Sequence, residues 1–382
     1  MVGYLTVRHQ KYVKKVISFI VLIALLSVIS LCFSPGDSAY AASSGEVVME
    51  AGSLRVLEGS NMHVRMPMAS TTKAMTLLIA IEKGNLEQIV TIPKEAVGIE
   101  GSSIYLRAGE KLTLKELCYG LMLSSGNDAA VAIACAVGKS VEGFCALMNQ
   151  RAAELGLKNT HFCNPHGLHD DNHYTSAYDL AVISCYGMRN PVFRSVVGTQ
   201  NIKISGGEGG YRYLYNKNKI LKLYKDGNGI KTGFTKKAGR CLIASSERDG
   251  MQLVCVLLNC PPMFERSMQL MDKAYREYEM KTIAAPNQSI CGINIKDGTV
   301  ARSGICLREG VRIPVKRDGS ERISAKLDLP NAIPAPHKKE DPVGAIAIYI
   351  NNNLLFTKKL YTMRDIKSKG VLDHFNDIIK RW

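Results

Sequence analysis

The spacing of apolar residues changes along the chain and divides it into predicted strands and helices. An alternating pattern on either side of Gly52-Ser53 predicts a hairpin, and helical spacing then recurs in several segments separated by turn residues. The predicted helices span Ala69–Lys83, Leu114–Leu123, Asp128–Val137, Val141–Leu155 and Met263–Met280, and the predicted strands span Val47–Glu50, Leu54–Glu58, Asn201–Ser205, Gly229–Thr232, Arg240–Ser245 and Gln252–Leu258. Because strands open and close this region with helices between them, the pattern indicates an α/β (α+β) domain with a mainly antiparallel sheet.

The pattern changes after Ala285-Pro286. Short alternating runs, separated by turn signals about ten residues apart, predict a small all-β domain. Helical spacing returns at the end of the chain, where apolar residues fall on one face of a predicted amphipathic helix. These residues are Val371, Leu372, Phe375, Ile378, Ile379 and Trp382. The alternative is an ordinary helix that packs on its own domain.

The first residues have the pattern of an export signal. A basic start is followed by an uncharged run over 16–33, a break at Pro35-Gly36 and the small-residue exit Ala39-Tyr40-Ala41. We predict cleavage near Ala41, and an uncleaved membrane anchor is the alternative. In both cases the rest of the chain is expected outside the cytoplasm, which argues against nucleic acid as a partner.

Net charge narrows the choice of partner further. The chain of 382 residues has a formal charge of +15, which by itself suggests an anionic polymer. Residues 281–382 hold 18 basic and 10 acidic side chains, whereas residues 42–280 hold 27 basic and 23 acidic ones. The excess therefore lies near the predicted terminal helix, and we expect an anionic membrane surface as its partner. The ten cysteines after the signal lie mostly in apolar runs, so we expect free, buried thiols.

Three short motifs carry candidate chemistry, and each lies where two elements meet. Ser70–Lys73 begins a predicted helix, Ser125–Asn127 separates two helices, and Lys231–Gly233 lies on a strand. A serine hydroxyl needs a base within hydrogen-bond reach, and positions i and i+3 of a helix share a face. Lys73 is therefore predicted to contact Ser70, and burial beside other cations would favour its neutral, basic form.

The remaining motif residues suggest a proton relay and contacts with substrate. Ser125 can pass a proton from Lys73 to a leaving group, and Asn127 can hold Lys73 or a substrate amide. Lys231 and Thr232 can bind a carboxylate, and Gly233 lets a substrate strand approach the sheet edge. This chemistry uses no metal and no cofactor, and none is predicted.

These motifs resemble those of the serine-type D-alanyl-D-alanine carboxypeptidases, the low-molecular-mass penicillin-binding proteins. The resemblance covers residues ~45 to ~280. It is carried by the segments Met68–Thr76, Leu123–Ala130, Asn164–Leu168 and Gly229–Thr235. It implies a catalytic domain of the β-lactamase/transpeptidase type that removes the terminal D-Ala from peptidoglycan stem peptides. It also implies covalent inhibition by β-lactam antibiotics.

The resemblance assigns a role to each residue of the predicted site. It implies that Ser70 is acylated, that Lys73 accepts its proton, that Ser125 relays it and that Lys231 anchors the terminal carboxylate. The backbone N–H groups of Ser70 and Phe234 would form the oxyanion hole. Some relatives carry histidine at the position of Phe234, which puts substrate tuning in doubt rather than catalysis.

A domain order follows from the same resemblance. It implies a signal over 1–41, a catalytic domain over 42–285, a β-rich domain over 286–360 and an amphipathic membrane-anchor helix over 361–382. The enzyme would then be exported and held at the outer face of the cytoplasmic membrane, where it trims the cell wall.

Three other functions stay open at this point. A DD-endopeptidase or a β-lactamase could use the same serine acylation, and a catalytically silent relative could bind the wall. The E-x-x-L-N motif of class A β-lactamases does not occur after Asn127. The intact residues Ser70, Lys73, Ser125 and Lys231 argue against a silent relative.

Two further clusters invite a functional interpretation. Four histidines crowd the segment 161–173 beside two aspartates, which suggests zinc, although a loop beside the active site is the favoured interpretation. The lysine-rich run Lys217–Lys225 follows several tyrosines, a mixture that can bind single-stranded nucleic acid. We favour a solvated edge there, with contact to glycan or stem peptide as the alternative.

Overall fold

The computed structural model describes residues 44–206 and 209–373. The predicted export signal and residues 374–382 therefore lie outside the described residues. The predicted helix over 361–382 is wrong at its start, because a strand continues to Thr362 and helical backbone begins at residue 371. The strands of the first region are β1 (Gly45–Glu50), β2 (Val56–Ser60), β3 (Ile89–Thr91), β4 (Lys111–Thr113), β5 (Asn201–Ser205), β6 (Tyr211–Tyr215), β7 (Gly227–Thr235), β8 (Gly239–Arg248) and β9 (Met251–Leu258). Its helices are α1 (Lys73–Lys83), α2 (Leu114–Leu123), α3 (Asn127–Gly138), α4 (Val141–Glu154), α5 (Ala177–Arg189), α6 (Pro191–Gly198), α7 (Ile220–Leu223) and α8 (Met263–Glu277), with 3₁₀ turns at Ala69–Thr72 and Lys94–Ala96.

A five-stranded antiparallel sheet in the order β2-β1-β9-β8-β7 forms the centre of this region. Successive side chains of a strand point to opposite faces, and β1 shows the consequence. Val47 and Met49 join the large core beneath helices α1 to α6, whereas Val48 joins a second core against α8. The sheet is therefore covered on both faces, and β7 lies at one edge.

A second, strand-rich region follows α8. Its strands are β10 (Tyr278–Ala284), β11 (Ser289–Lys296), β12 (Arg302–Cys306), β13 (Val311–Lys316), β14 (Ile323–Asp328), β15 (Ala332–Pro334), β16 (Pro342–Ile350) and β17 (Asn353–Thr362). Six of them form one sheet, and β10 pairs with β13. An aliphatic core that includes Ile305, Ile313 and Ile348 lies inside. Arg55 joins the two regions, because its guanidinium binds the Glu321 carboxylate and the Pro314 carbonyl.

The observed elements confirm the predicted fold class, a mixed α/β region with an antiparallel sheet followed by an all-β region. Helix α2 and strand β5 have the predicted bounds. The predicted helix Met263–Met280 is wrong at its end, since it stops at Glu277. The next residues pair with β13, and Tyr278 is buried in the second core. The predicted helix Ala69–Lys83 begins as a 3₁₀ turn, and α5, α6 and β6 were not predicted.

The cysteines of the described residues are free, and most of them are buried. At the end of the described chain, residues 371–373 are helical, and Val371 and Leu372 are exposed. Within residues 44–206 and 209–373, no single helix is long and apolar enough to cross a membrane; the bent pair α3 and α4 meets that test only when both are counted together.

Candidate active site

Ser70 lies in the 3₁₀ turn that precedes α1, and a neighbouring loop fixes this turn. Ala69 has a left-handed φ of +47°, a conformation that persists only where the surroundings enforce it. The Thr72 hydroxyl donates to the Ala69 carbonyl at 2.8 Å. Gly167 packs against the same carbonyl, since a Cβ at this position would lie 1.9 Å from the Ala69 oxygen. The backbone geometry that presents Ser70 therefore depends on a glycine in the 164–168 loop.

Lys73 is fully buried behind Ser70. Its Nζ donates to Asn127 Oδ1 at 2.7 Å and to the His166 carbonyl at 2.8 Å, and it lies 2.9 Å from Ser70 Oγ, whose hydroxyl can donate to the neutral amine. Burial, followed by repulsion from Lys231 and Lys217, holds the pKa of Lys73 well below the usual range of lysine. The lysine is thus oriented toward the serine hydroxyl, and its neutral form is favoured.

The second motif lies where α2 ends and α3 begins. Ser125 is buried and has a left-handed φ of +62°. Asn127 is the first residue of α3, and its amide joins two sides of the site. Its Oδ1 accepts from Lys73, and its Nδ2 donates to the Glu100 carbonyl at 2.5 Å. The helix junction therefore positions both the lysine and the backbone of the 100–106 loop.

The third motif lies on β7, the edge strand that faces the 3₁₀ turn. Lys231 is buried, its Nζ donates to the Thr232 carbonyl at 3.0 Å, and burial with repulsion from Lys217 lowers its pKa to about 7. A Cβ on Gly233 would lie 3.0 Å from the Ser70 nitrogen and 3.1 Å from the Thr71 nitrogen. These distances are tighter than most Cβ contacts, so glycine favours the close approach of the strand to the serine.

These elements enclose an open cleft of about 410 Å³. It is lined by Ser70, Ser102, Ser125, Lys217, Lys219, Thr232, Gly233, Phe234, Arg240, Met263 and Phe264. The structure thus brings the predicted residues Ser70, Ser125, Thr232, Gly233 and Phe234 to one surface. Lys73, Asn127 and Lys231 lie directly behind it.

Several cleft residues were not found from the sequence. Arg240 and Phe264 have no motif of their own, and only the fold brings them to the cleft. Lys217 and Lys219 also line it, although a solvated edge was the favoured interpretation of their lysine-rich run. Phe234 is largely exposed, and the Arg240 guanidinium lies 5.7 Å from the centre of its ring. No carboxylate occurs among the described residues that line the cleft, so its surface favours anionic ligands.

The histidine-rich loop contributes to the site through its backbone and packing. The His173 ring is held between Thr72 Oγ1 at 2.8 Å and the Cys163 N–H at 3.0 Å. Burial lowers the pKa of His173 to about 4 and that of His166 to about 3, so both rings are neutral at pH 7. Among the described residues, no group of three or more His, Cys, Asp or Glu side chains could hold a metal ion.

This geometry is suited to covalent catalysis by a serine. A neutral lysine in hydrogen-bond contact with the hydroxyl can take its proton during attack on a carbonyl. The cations around the cleft can hold an anionic substrate, and an edge strand beside the serine can align an extended one. No step of this chemistry needs a redox group.

Comparisons with known proteins agree with the site. Residues 34–261 match the family of D-alanyl-D-alanine carboxypeptidases (Peptidase S11), and residues 278–368 match the C-terminal domain of penicillin-binding protein 5. The D-alanyl-D-alanine carboxypeptidase DacF of Bacillus subtilis is 30% identical over 94% of this chain and 97% of its own length. The DacA enzyme of Escherichia coli K12 is 28% identical over 87% of this chain and 86% of its own.

Solved structures show the same likeness. Penicillin-binding protein 5 from Haemophilus influenzae superposes with a TM-score of 0.70 at 25% identity, covering 85% of this chain and 97% of its own. The R248L mutant of the Streptomyces K15 DD-transpeptidase has a TM-score of 0.57 at 32% identity, covering 61% of this chain and 97% of its own. The predicted fold family and enzyme class are thereby confirmed. The chain belongs to the D-alanyl-D-alanine carboxypeptidase family of serine hydrolases, the low-molecular-mass penicillin-binding proteins.

Proposed function

We propose that Ser70 is the nucleophile that releases the terminal D-Ala of peptidoglycan stem peptides. The observation that carries this proposal is the contact between Lys73 Nζ and Ser70 Oγ at 2.9 Å, made by a fully buried lysine of lowered pKa. Among the described residues, Lys73 forms no ion pair with a carboxylate. Its amine is therefore available as a base, as serine acylation requires.

The acylation step follows from this arrangement. The Ser70 oxygen attacks the carbonyl between the two D-Ala residues while its proton passes to Lys73. Ser125, on the same cleft surface, passes the proton on to the leaving nitrogen as the C–N bond breaks. The backbone N–H groups of Ser70 and Phe234 stabilise the oxyanion. A water molecule then gives a proton to Lys73 and attacks the ester carbonyl; the bond to the Ser70 oxygen breaks, this oxygen takes the proton back from Lys73, and the shortened peptide leaves as its acid.

Substrate binding uses the cations and the exposed edge of β7. Protonated Lys231 and the Thr232 hydroxyl hold the terminal carboxylate, and Asn127 keeps Lys73 aimed at the serine. Gly233 leaves room for the substrate backbone beside the strand. β-lactam antibiotics, which carry a carboxylate and a reactive amide, acylate Ser70 through the same contacts.

The place of action is the wall side of the cytoplasmic membrane. This part of the proposal rests on the export pattern over 1–41 and on the cationic residues 281–382. The helix that begins at residue 371 would lie in the membrane surface, while the catalytic region and the β-rich region stand outside. Deleting residues 371–382, which keeps β17 and the buried Ile366, should release the enzyme from membranes, and a truncated protein that stays bound would contradict this anchor.

Turnover of three substrates tests the proposed function. The protein without its signal is incubated with an acylated X-D-Ala-D-Ala peptide, a cross-linked muropeptide and benzylpenicillin. We expect D-Ala release from the first and a long-lived penicilloyl enzyme with the last. Faster cleavage of the cross-link would indicate an endopeptidase, and rapid penicillin hydrolysis a β-lactamase. A protein that releases no D-Ala and forms no adduct would be a silent wall binder.

A further inference from the structure

The β5–β6 hairpin presents a row of exposed aromatic rings. Tyr211, Tyr213 and Tyr215 occupy every second position of β6 and are 63%, 65% and 66% exposed. Across the ladder, Ser205 pairs with Tyr211, Lys203 with Tyr213 and Asn201 with Tyr215. We call these six residues the tyrosine face. It combines flat aromatic surfaces with amide, hydroxyl and ammonium groups.

The orientation of this face is fixed by the opposite side of the hairpin. Ile204 and Leu214 are buried there, so a register slip of one residue would expose the buried set. Folding requires the apolar residues on the inner side, but it does not require tyrosine at three successive outer positions. The outer rings therefore need an explanation other than core packing.

The hairpin is also rigidly attached to the domain. From the inner side, Arg212 donates to the Ile104 carbonyl at 2.7 Å and to the Tyr105 carbonyl at 2.9 Å, and it pairs with the Glu110 carboxylate at 2.8 Å. The Glu116 carboxylate accepts from the Ser205 N–H at 2.9 Å. A surface held in this way binds a ligand with little loss of conformational entropy.

One end of the tyrosine face lies two residues along the chain from the catalytic cleft. Lys217 lies two residues after Tyr215, lines the cleft, and donates through its backbone to the Leu123 carbonyl at 3.2 Å. Tyr215 therefore lies within about 7 Å of a cleft residue along the chain. From there to Tyr211 the strand extends the face by about 13 Å. A pentapeptide stem reaches at most about 17 Å when extended, so a glycan attached to its far end comes within range of the face.

The geometry points to an amino-sugar glycan strand as the occupant of the tyrosine face. This inference rests on the proposed function, because the stem peptide is what links the glycan to the cleft. Sugar rings offer C–H faces that pack on aromatic rings, and their hydroxyl and acetamido groups hydrogen-bond around the ring edges. Phenol hydroxyls, the Asn201 amide and the Lys203 ammonium supply matching donors and acceptors. Lys203 lies 3.4 Å from the centre of the Tyr211 ring, which keeps a cation beside the aromatic surface.

A double variant, Tyr213→Ala with Tyr215→Ala in the full mature chain, tests the inference. The first readout is cosedimentation with insoluble glycan strands whose stem peptides have been removed. The second is kcat/KM on polymeric peptidoglycan and on a short acylated X-D-Ala-D-Ala peptide. We expect glycan binding and polymer turnover to fall about tenfold and short-peptide turnover to stay unchanged. Leu354→Ala, which removes a similarly exposed apolar side chain from β17, is the control and should change neither readout.

The other outcomes contradict the inference in distinguishable ways. Unchanged glycan binding by the double variant would overturn it, as would equal losses on polymer and short peptide. A wild-type protein that dimerises while the double variant stays monomeric would assign the face to a second copy of the chain. If the wild-type protein releases no D-Ala from the short peptide, the proposed function is contradicted. The glycan cosedimentation assay still tests the tyrosine face in that case, because it does not depend on turnover.

Discussion

The cleft and the C-terminal β region differ in the kind of residues that they bury and in their backbone conformation. The cleft buries two lysines and holds Ala69 and Ser125 at left-handed φ values. The core of the β region consists of aliphatic side chains, with only Ser303 and Thr362 as buried polar residues among those described after β10. Buried cations and strained backbone lower stability unless the surroundings enforce them.

This contrast indicates where the chain gives up stability for chemistry. Excluding water lowers the pKa of a lysine and so favours the neutral form that can act as a base. The same loss of hydration lowers the stability of the folded protein. The buried residues of the β region are almost all aliphatic and none lines the cleft, so we expect them to contribute to stability rather than to the reaction. Substitutions should therefore separate the two properties. Changes in the cleft should lower activity with little loss of stability, and changes in the β core should do the reverse.

Ser70→Ala should have the largest effect on activity. Without the hydroxyl no acyl-enzyme forms, so D-Ala release should fall by at least about 10³-fold. The thermal midpoint should stay close to that of the wild type, because the side chain is small and borders the cleft. Residual D-Ala release at the wild-type rate would remove Ser70 from the mechanism.

Lys73→Met should cause the second-largest loss of activity, after Ser70→Ala. Loss of the base should slow acylation by about 10² to 10⁴-fold. Met is similar in length and needs no desolvation of an amine, which offsets the lost hydrogen bonds to Asn127 and His166, so the free energy of unfolding should stay close to that of the wild type. Stopped-flow acylation by a chromogenic β-lactam and urea denaturation measure the two quantities. A variant that acylates normally, or one that unfolds much more easily, would break the contrast between the regions.

Gly233→Ala tests the close approach of β7 to the serine. The added methyl group would meet the Ser70 and Thr71 nitrogens at 3.0 and 3.1 Å, so β7 and the serine turn must separate by a few tenths of an ångström, and we expect about a tenfold to hundredfold loss of kcat/KM. Gly319→Ala is the matched control in the β region, where a Cβ meets nothing within 4 Å and φ is +71°. It should cost about 1 kcal/mol of stability through backbone strain and leave kcat/KM unchanged.

The pH dependence of kcat/KM should report the two lysines separately. The pKa of Lys231 is about 7 in the free enzyme, and its charged form is needed for the carboxylate. The rate constant should therefore decline above about pH 7, by up to tenfold per pH unit well above the pKa. Lys73 must be neutral to act as the base, so the acidic limb of the profile, on which the rate constant rises with pH, should report the titration of this lysine, whose pKa burial lowers. A profile that is flat from pH 6 to 9 would contradict these assignments.

The lowered pKa of Lys231 also predicts how the free energy of unfolding changes with pH. Between about pH 7 and the usual lysine range, the unfolded chain binds a proton at Lys231 that the native protein lacks. Stability should therefore rise with pH across this window, and the rise should be smaller in Lys231→Met. Denaturation midpoints of both proteins at pH 7 and pH 9 check this sign.

Ile348→Ala should have the smallest effect on activity and a large one on stability. Ile348 is fully buried in the core of the β region, so the truncation should cost about 2–5 kcal/mol. Turnover of a short peptide at 25 °C should stay within about twofold of the wild type, provided the protein is folded. A large loss of kcat/KM in folded protein would show that the β region takes part in the reaction.

The sequence predicted the catalytic motifs because their spacing reflects local geometry. Lys73 follows Ser70 by three residues, and a helix turns that separation into a contact. Helix α2 was predicted with its bounds from the apolar run Leu114–Leu123, and in the structure a capping box of Thr113 and Glu116 fixes its start. Both signals lie within a few residues of each other, so one sequence suffices to find them.

Features that depend on distant parts of the chain were missed. Arg240 reaches the cleft only because β8 pairs with β7 so that Arg240 lies opposite Phe234. The His166 carbonyl accepts a hydrogen bond from Lys73, 93 positions away in the chain. Because every residue has a backbone carbonyl, the residue type at this position does not reveal the contact. The end of α8 was misplaced because Tyr278 and Met280 continue an apolar pattern that pairing with β13 converts to a strand.

The mass of the protein after brief exposure to benzylpenicillin tests the central claim most directly. We predict one penicilloyl group per chain, located by peptide mapping on Ser70 and absent from the Ser70→Ala variant. It should persist long enough to be isolated and should be blocked by prior incubation with another β-lactam. An adduct on a different residue, or an unmodified protein that leaves the penicillin intact, would contradict the assignment of Ser70 as the nucleophile.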